Sequence, residues 1–257
     1  MLCRRTAIAA IVLAFASGGA AAIEPLRTLK PGILRIGTYF VNPPFEYVAE
    51  NTRAGFEVDL MEEIARRLRL KPAFVDTTWE KILKEMQRGR YDCIVGGITI
   101  TPERERKLAW SVPYMTTTLS LVVNGAKTPE IRSLANLKDA IVGVQAATTD
   151  YDAAVAMKKR GEIRSIKVYP FAEIEAAMAD LEAGRITAVM KVAPVASWLA
   201  EKRPDLRIVA QVPDDPQPLG IGFRKHEPAL VAAVNGTLAE MLQDGSLQLL
   251  KSKWGIP

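Results

Sequence analysis

The chain has 257 residues, with 34 Lys and Arg against 29 Asp and Glu, a net charge of +5 and one histidine. The basic excess is mild and scattered along the chain, which excludes a dedicated nucleic-acid surface. The one histidine, His226 in the polar run Arg224-Lys225-His226-Glu227, leaves no basis for a histidine triad or a histidine metal cluster. No glycine-rich phosphate loop is present either, so neither cofactor nor metal is expected.

In chain order, the first element is a targeting signal. Arg4 and Arg5 precede the uncharged run 6–15, and Gly18, Gly19, Ala20, Ala21 and Ala22 follow. A charged start, an apolar stretch and a small-residue cleavage site make a secretory signal peptide over 1–22, so the mature chain is expected to start at Ile23. The run is too short to span about 30 Å of hydrocarbon, which takes a helix of roughly 20 residues. A retained anchor and a twin-arginine signal are the alternatives, although Arg4-Arg5 lacks the usual continuation of the latter. Cys3 lies ahead of the apolar run, which argues against a lipoprotein. Cleavage would leave 32 basic against 29 acidic residues, a net +3, with Cys93 as the one remaining cysteine. Within Cys93-Ile94-Val95 it reads as a small buried core residue.

The next stretches alternate strands with amphipathic helices. Residues 33–37 read as a strand, and Phe56, Val58, Leu60, Met61, Ile64, Ala65 and Leu68 trace the apolar stripe of a helix. A strand over 71–75, a helix over 79–88 and a strand over 91–96 complete a β-α-β-α-β order, which predicts a parallel sheet with helices on both faces. The order then recurs: strand 140–144, helix 149–159, strand 166–168, helix 174–182, strand 186–190. Even the helix-to-strand junctions match, Gly89-Arg90 against Gly184-Arg185. Two similar α/β lobes follow, with crossings around 115–119 and 214–222, where Pro213, Pro216, Pro218 and Gly220 punctuate the chain. A helix over 227–250 returns to the first lobe if the chain crosses twice. The expected division is 23–116 and 218–257 in lobe 1 and 117–217 in lobe 2. Ligands of such sheets bind beyond the carboxyl ends of the strands, so facing lobes make a cleft that can shut.

Two strand-to-helix junctions carry anion chemistry. In Gly96-Gly97-Ile98-Thr99-Ile100-Thr101-Pro102-Glu103-Arg104, Thr101 is placed as N-cap and Pro102 at the first helical position. Arg104 is either a carboxylate fork or a solvated helix residue paired with Glu103 or Glu105. In Gln145-Ala146-Ala147-Thr148-Thr149-Asp150, the helix start offers free backbone N–H groups and a positive dipole end. A plain N-cap by Thr148 or Thr149 is compatible with that role.

These runs, with Pro43-Pro44-Phe45-Glu46, Gly55-Phe56-Glu57-Val58-Asp59-Leu60 and Trp110-Ser111-Val112-Pro113-Tyr114, resemble in order and spacing the family 3 solute-binding proteins of polar amino-acid ABC transporters. The likeness covers about residues 30–255. It implies a type II periplasmic-binding-protein-like α/β fold, a periplasmic monomer, a small carboxylate ligand and an inner-membrane ABC transporter permease as partner. By that resemblance Arg104 and the Thr149 backbone grip the carboxylate, beside Thr148, while Thr99 and the Gly97 carbonyl face its α-position. Trp79 takes the place of an aromatic wall, with a core anchor as its alternative role. Asn42 stands where many members carry an aromatic. Tyr114 and Asp150 are expected to line the cleft, with hinge packing as the alternative for Tyr114. The sequence departs from the family at Val192, beside Lys191, where members that bind α-amino acids usually place an Asp for the α-ammonium. An ammonium buried there without its partner costs about 2–5 kcal/mol.

A second function on the same fold is that of secreted cyclohexadienyl dehydratases, which resemble the same family. Such an enzyme needs a proton donor in the cleft, and Lys191, Asp150 or Glu46 are the residues available, with no motif singling one out. A sensor role is less expected, since no transmembrane or kinase segment follows residue 257. A binding protein and not an enzyme is the expected reading.

Overall fold

The computed structural model describes residues 26–256 except Asp214, so the signal peptide expected at 1–22 lies outside the described residues. The first sheet is built on strand Ile33–Thr38, which pairs in parallel with Lys71–Asp76 on one side and Cys93–Ile94 on the other. Helix Phe56–Arg67 joins the first pair. It presents Phe56, Leu60, Met61, Ile64 and Ala65 to the core, the apolar stripe written in the sequence. Helix Trp79–Gln87 then leads back to Cys93–Ile94, burying Trp79, Ile82 and Met86. Cys93 is wholly buried and unbonded, and burial pushes its thiol pKa up, as befits a core residue.

The second sheet has the order Ser165–Tyr169, Ile141–Gln145, Ala188–Val192, Leu119–Asn124, Leu206–Gln211. Helices Thr149–Lys159 and Ile174–Glu182 connect its parallel part. Neither sheet is fully parallel, which corrects the sequence expectation. Leu119–Asn124 runs antiparallel to both of its neighbours in the second sheet, Ala188–Val192 and Leu206–Gln211, and Gly222–Phe223 pairs antiparallel with both Cys93–Ile94 and Ala109–Trp110 in the first. Leu119–Asn124 enters straight from the crossing without a helical crossover, and a parallel neighbour would need one.

The two crossings lie side by side as a ribbon, Met115–Thr117 against Gln217–Leu219. The chain thus passes from the first sheet to the second and back. The C-terminal segment forms two helices and not one, Pro228–Gln243 and Ser246–Lys253. The break falls at Gly245, whose φ of 80° is a left-handed conformation that ends a helix at little cost to glycine. Trp254 Nε1 donates to Asp59 Oδ2 at 2.8 Å, tying this end to the first lobe. Among the described residues no helix is long and apolar enough to cross a membrane.

Candidate ligand site between the lobes

The first wall begins where strand Cys93–Ile94 ends. The chain turns through Gly96 and Gly97, at φ 154° and 60°. A Cβ on Gly97 would meet the Phe45 ring at 2.9 Å and Asn42 Nδ2 at 3.0 Å, so only glycine fits this left-handed turn. Tyr39 Oη and Asn42 Nδ2 both donate to the Gly96 carbonyl, the latter at 3.4 Å, and the Gly97 N–H donates to Glu57 Oε2 at 2.9 Å. Thr101 then caps helix Pro102–Lys107, its Oγ1 accepting from the Arg104 N–H at 3.2 Å. That cap turns Arg104 inward. Its Nη1 donates to the Thr99 carbonyl at 2.8 Å, and its guanidinium carbon lies 5.0 Å from the centre of the Trp79 ring. Thr99 Oγ1 donates to Gln217 Oε1 at 3.0 Å, linking this wall to the ribbon between the lobes.

The facing wall is the end of strand Ile141–Gln145 and the start of helix Thr149–Lys159. Thr148 is the N-cap: its Oγ1 accepts from the Tyr151 N–H at 3.3 Å and donates to the Gln145 carbonyl at 2.7 Å. The amides of Thr149 and Asp150 belong to the first turn, which has no carbonyl of its own helix to bond. Lys191 and Val192, at the end of strand Ala188–Val192, and Phe171, just past Ser165–Tyr169, complete the wall.

Between the walls lies a partly open cavity of about 30 Å³, room for one or two water molecules. Gly97, Thr99, Arg104, Trp79 and Asn42 line it from one lobe, and Thr148, Thr149, Asp150 and Val192 from the other. Tyr114 lies outside it. Its ring packs 5.8 Å from Phe56, and its hydroxyl donates to Glu57 Oε1. Tyr39, Gly96, Phe171 and Lys191 also line the cavity and were not picked out as ligand contacts from sequence. Phe171 and Lys191 follow the rule that ligands meet sheets beyond their strand ends. The lobes are shut on one another. Trp79 Nε1 donates across the cleft to the Ala146 carbonyl at 3.1 Å, Trp79 stacks on Phe171 with centroids 5.3 Å apart, and Tyr39 meets Phe171 edge-on at 4.9 Å. A ligand therefore enters only when the lobes part.

The charges are few. Burial lowers the Arg104 pKa from its ordinary value, opposed by the acidic Asp152 and Asp150, but a guanidinium stays protonated in proteins. Lys191 Nζ donates to Gln145 Oε1 at 2.6 Å and pairs with Asp150 Oδ2 at 3.3 Å, with side chains only 4% and 3% exposed. Among the described residues no cluster of metal-ligating side chains occurs.

Behind the first wall Glu46 is wholly buried, and neither of its carboxyl oxygens has a hydrogen-bond partner. Burial first, and then the nearby Glu57 carboxylate, hold it well above the usual carboxylate range. A raised carboxyl pKa means that the folded state keeps a proton the unfolded chain has lost. Stability on this account falls as pH rises above about 4.3 toward the folded value. Glu46→Gln keeps the shape and removes the titration. Its Tm is expected to match that of the parent near pH 4–5 and to exceed it at pH 8, by about 2–4 °C for each kcal/mol recovered. Thermal melts at both pH values check this, and a variant less stable at pH 8 than at pH 5 relative to the parent contradicts it.

The model of the bacterial extracellular solute-binding proteins, family 3, matches residues 34–257. The L-cystine-binding protein TcyJ of Escherichia coli K12 is 29% identical over 224 residues, which are 87% of this chain and 82% of that protein. A solved ancestral arginine-binding protein bound to arginine superposes with a TM-score of 0.79 at 31% identity, covering 87% of this chain and 98% of that one. The ancestral amino acid-binding protein AncCDT-1, described as a precursor of cyclohexadienyl dehydratase, gives 0.77 at 33% identity, over 87% and 95%. The two solved structures share the two-lobed type II periplasmic-binding architecture described above, and the names of all three relatives describe binding proteins. With nearly the whole described chain matched, the protein belongs to the bacterial extracellular solute-binding proteins, family 3.

Proposed function

We propose that this protein is a periplasmic solute-binding protein that captures a small carboxylate between its lobes and delivers it to an ABC transporter permease in the inner membrane. One observation carries the reading: in the cavity between the lobes the Arg104 side chain donates, among the described residues, a single N–H to the protein, to the Thr99 carbonyl, opposite the open first turn of helix Thr149–Lys159. A guanidinium has five donors, so the remaining ones suit a two-oxygen acceptor that bridges the lobes. Val192, 6% exposed and lining the same cavity, gives an α-ammonium no counter-charge, so the favoured ligand carries an uncharged group there. The named relatives are L-cystine-, arginine- and amino acid-binding proteins, and this chain is read as departing at Val192 from the family pattern for an α-ammonium.

The test is a thermal-shift screen of amino, oxo, hydroxy and unsubstituted carboxylic acids, followed by titration calorimetry of the hits. A ligand at a hundred times its Kd raises stability by about 2.7 kcal/mol, readily seen. Stabilisation by a carboxylate supports the reading, and a screen in which only solutes without a carboxylate stabilise the protein overturns it. The Lys191–Asp150 pair in the cavity and the likeness to a dehydratase precursor favour a second reading, a cyclohexadienyl dehydratase. Consumption of a cyclohexadienyl acid that stops in Lys191→Met or Asp150→Asn would support it.

A further inference from the structure

Lys191 sits on an interior strand of the second sheet, paired with Leu119–Asn124 through Ser120. A lysine there keeps its charge only if its ammonium is well partnered. Two of its three N–H donors are used, on Gln145 Oε1 and Asp150 Oδ2. Both partners are themselves fixed: Gln145 Nε2 donates to the Phe171 carbonyl, and Asp150 opens a helix whose dipole favours its charge. The ammonium also lies 5.5 Å from the centre of the Phe171 ring. The third donor has no protein acceptor among the described residues, and Lys191 lines the cavity.

Charge narrows what that donor can meet. Of the side chains lining the cavity, Arg104 and Lys191 are basic and Asp150 is acidic, a formal net +1 that a single carboxylate neutralises. An α-amino acid is a zwitterion; it leaves the +1 in place and brings its ammonium into the same cavity as Lys191, whose carboxylate partner is already engaged. Burial raises the pKa of Tyr39 in the lining and that of Glu46 behind the wall, and the carboxyl groups of Glu57, which accepts from the Gly97 N–H, and of Asp152, which acts on Arg104, lie outside the lining. The complementary group on a ligand is an uncharged acceptor next to the carboxylate.

We propose that Lys191 is a specificity-determining residue whose ammonium donates to an oxygen on the α-carbon of the bound acid, so that the ligand class is 2-oxo and 2-hydroxy carboxylates. This rests on the carboxylate-binding reading above and goes beyond it, because Val192 disfavours an ammonium without favouring an oxygen over hydrogen. The test titrates two matched series by calorimetry: pyruvate, L-lactate, L-alanine and propanoate, and the same four α-groups on a benzyl chain. The native protein is expected to bind the oxo and hydroxy acids of at least one series tenfold or more tighter than the unsubstituted acid. Lys191→Met together with Asp150→Asn, which leaves the lining at the same net +1 and strands no buried carboxylate, should cut that advantage below threefold while the unsubstituted acid keeps its affinity within threefold. Lys191→Met alone should lose the same advantage, with all the carboxylates weakened in addition by the lost positive charge.

In the double variant a purely structural strut would weaken all four acids of a series alike, with the α-oxygen advantage intact, and that outcome overturns the assignment. So does an undiminished advantage in the variants, or a native protein that binds the unsubstituted acid as tightly as the oxo acid. If carboxylates bind and depend on Arg104 without any preference for an α-oxygen, only the role of Lys191 falls. If no carboxylate binds at all, the solute-binding reading falls with it.

Discussion

Replacing Arg104 with Ala is expected to weaken every carboxylate ligand by about 30-fold or more. That corresponds to about 2 kcal/mol, the lower end of the cost of truncating one partner of a buried charged hydrogen-bond pair. The loss should be uniform across α-substituents, because the guanidinium meets the carboxylate that all of them share. Stability without ligand should behave in the opposite way. Arg104 is desolvated against the Trp79 face with one hydrogen bond to the Thr99 carbonyl, and the Asp150 carboxylate of the facing wall is already paired with Lys191. Removing a cation held at such cost should leave the Tm unchanged or raise it, the usual relation between a charged binding site and the stability of its scaffold. Calorimetry and thermal melts of the one variant separate the two effects. Unchanged affinity for a carboxylate that binds the native protein refutes Arg104 as the clamp, and a large drop in the unliganded Tm identifies it as a structural residue.

What the sequence made legible was local. The stripe of Phe56, Leu60, Met61, Ile64 and Ala65 and the Thr101-Pro102 cap are written in short-range spacing, and the helices they predict are there within a residue or two. The strand expected over 91–96 shrinks to Cys93–Ile94 because Gly96 and Gly97 bend the backbone away to form the cavity wall. Leu119–Asn124 was passed over because all six of its residues are buried, so it shows no alternation, and part of it was taken for a crossing. The site divides in the same way. Arg104 and Thr149 stand at strand-to-helix junctions that sequence can locate. Phe171, Tyr39 and the inward position of Lys191 depend on how two lobes meet, which no local pattern encodes. Lys191 and Val192 are adjacent, and strand periodicity alone would send them to opposite faces. They share the cavity because the strand ends at Val192, which is already the N-cap of the next helix.

That N-cap position shapes the second large effect. Val192 precedes helix Ala193–Glu201 with φ −56° and ψ 140°, and its side chain makes no capping bond. Valine is among the poorest N-caps and aspartate among the best, a difference of about 0.5–2 kcal/mol. Pro194 has no N–H, so the amide within reach of a new cap is that of Val195, the third helical residue. Val192→Asp is thus expected to fold, the cap offsetting part of the cost of a buried carboxylate. Its charge would sit at the cavity beside Lys191 and bring the net +1 of the lining to zero. An amino acid, neutral overall, would then find a counter-charge for its ammonium, whereas an oxo or hydroxy acid would add an uncompensated anion. The expected result is a reversal of preference. L-Alanine should gain about tenfold or more in affinity and pyruvate should lose about as much, each step being roughly 1.4 kcal/mol, within the range for gaining or losing a hydrogen-bonded charge partner. The change should shrink as pH falls through the titration of the new carboxyl group, since a protonated Asp offers no charge. Calorimetry of both ligands against both proteins at pH 7.5 measures it. A native protein that already binds L-alanine or another L-α-amino acid more tightly than its oxo analogue would show that the ammonium is held by other groups and that Val192 does not set the preference.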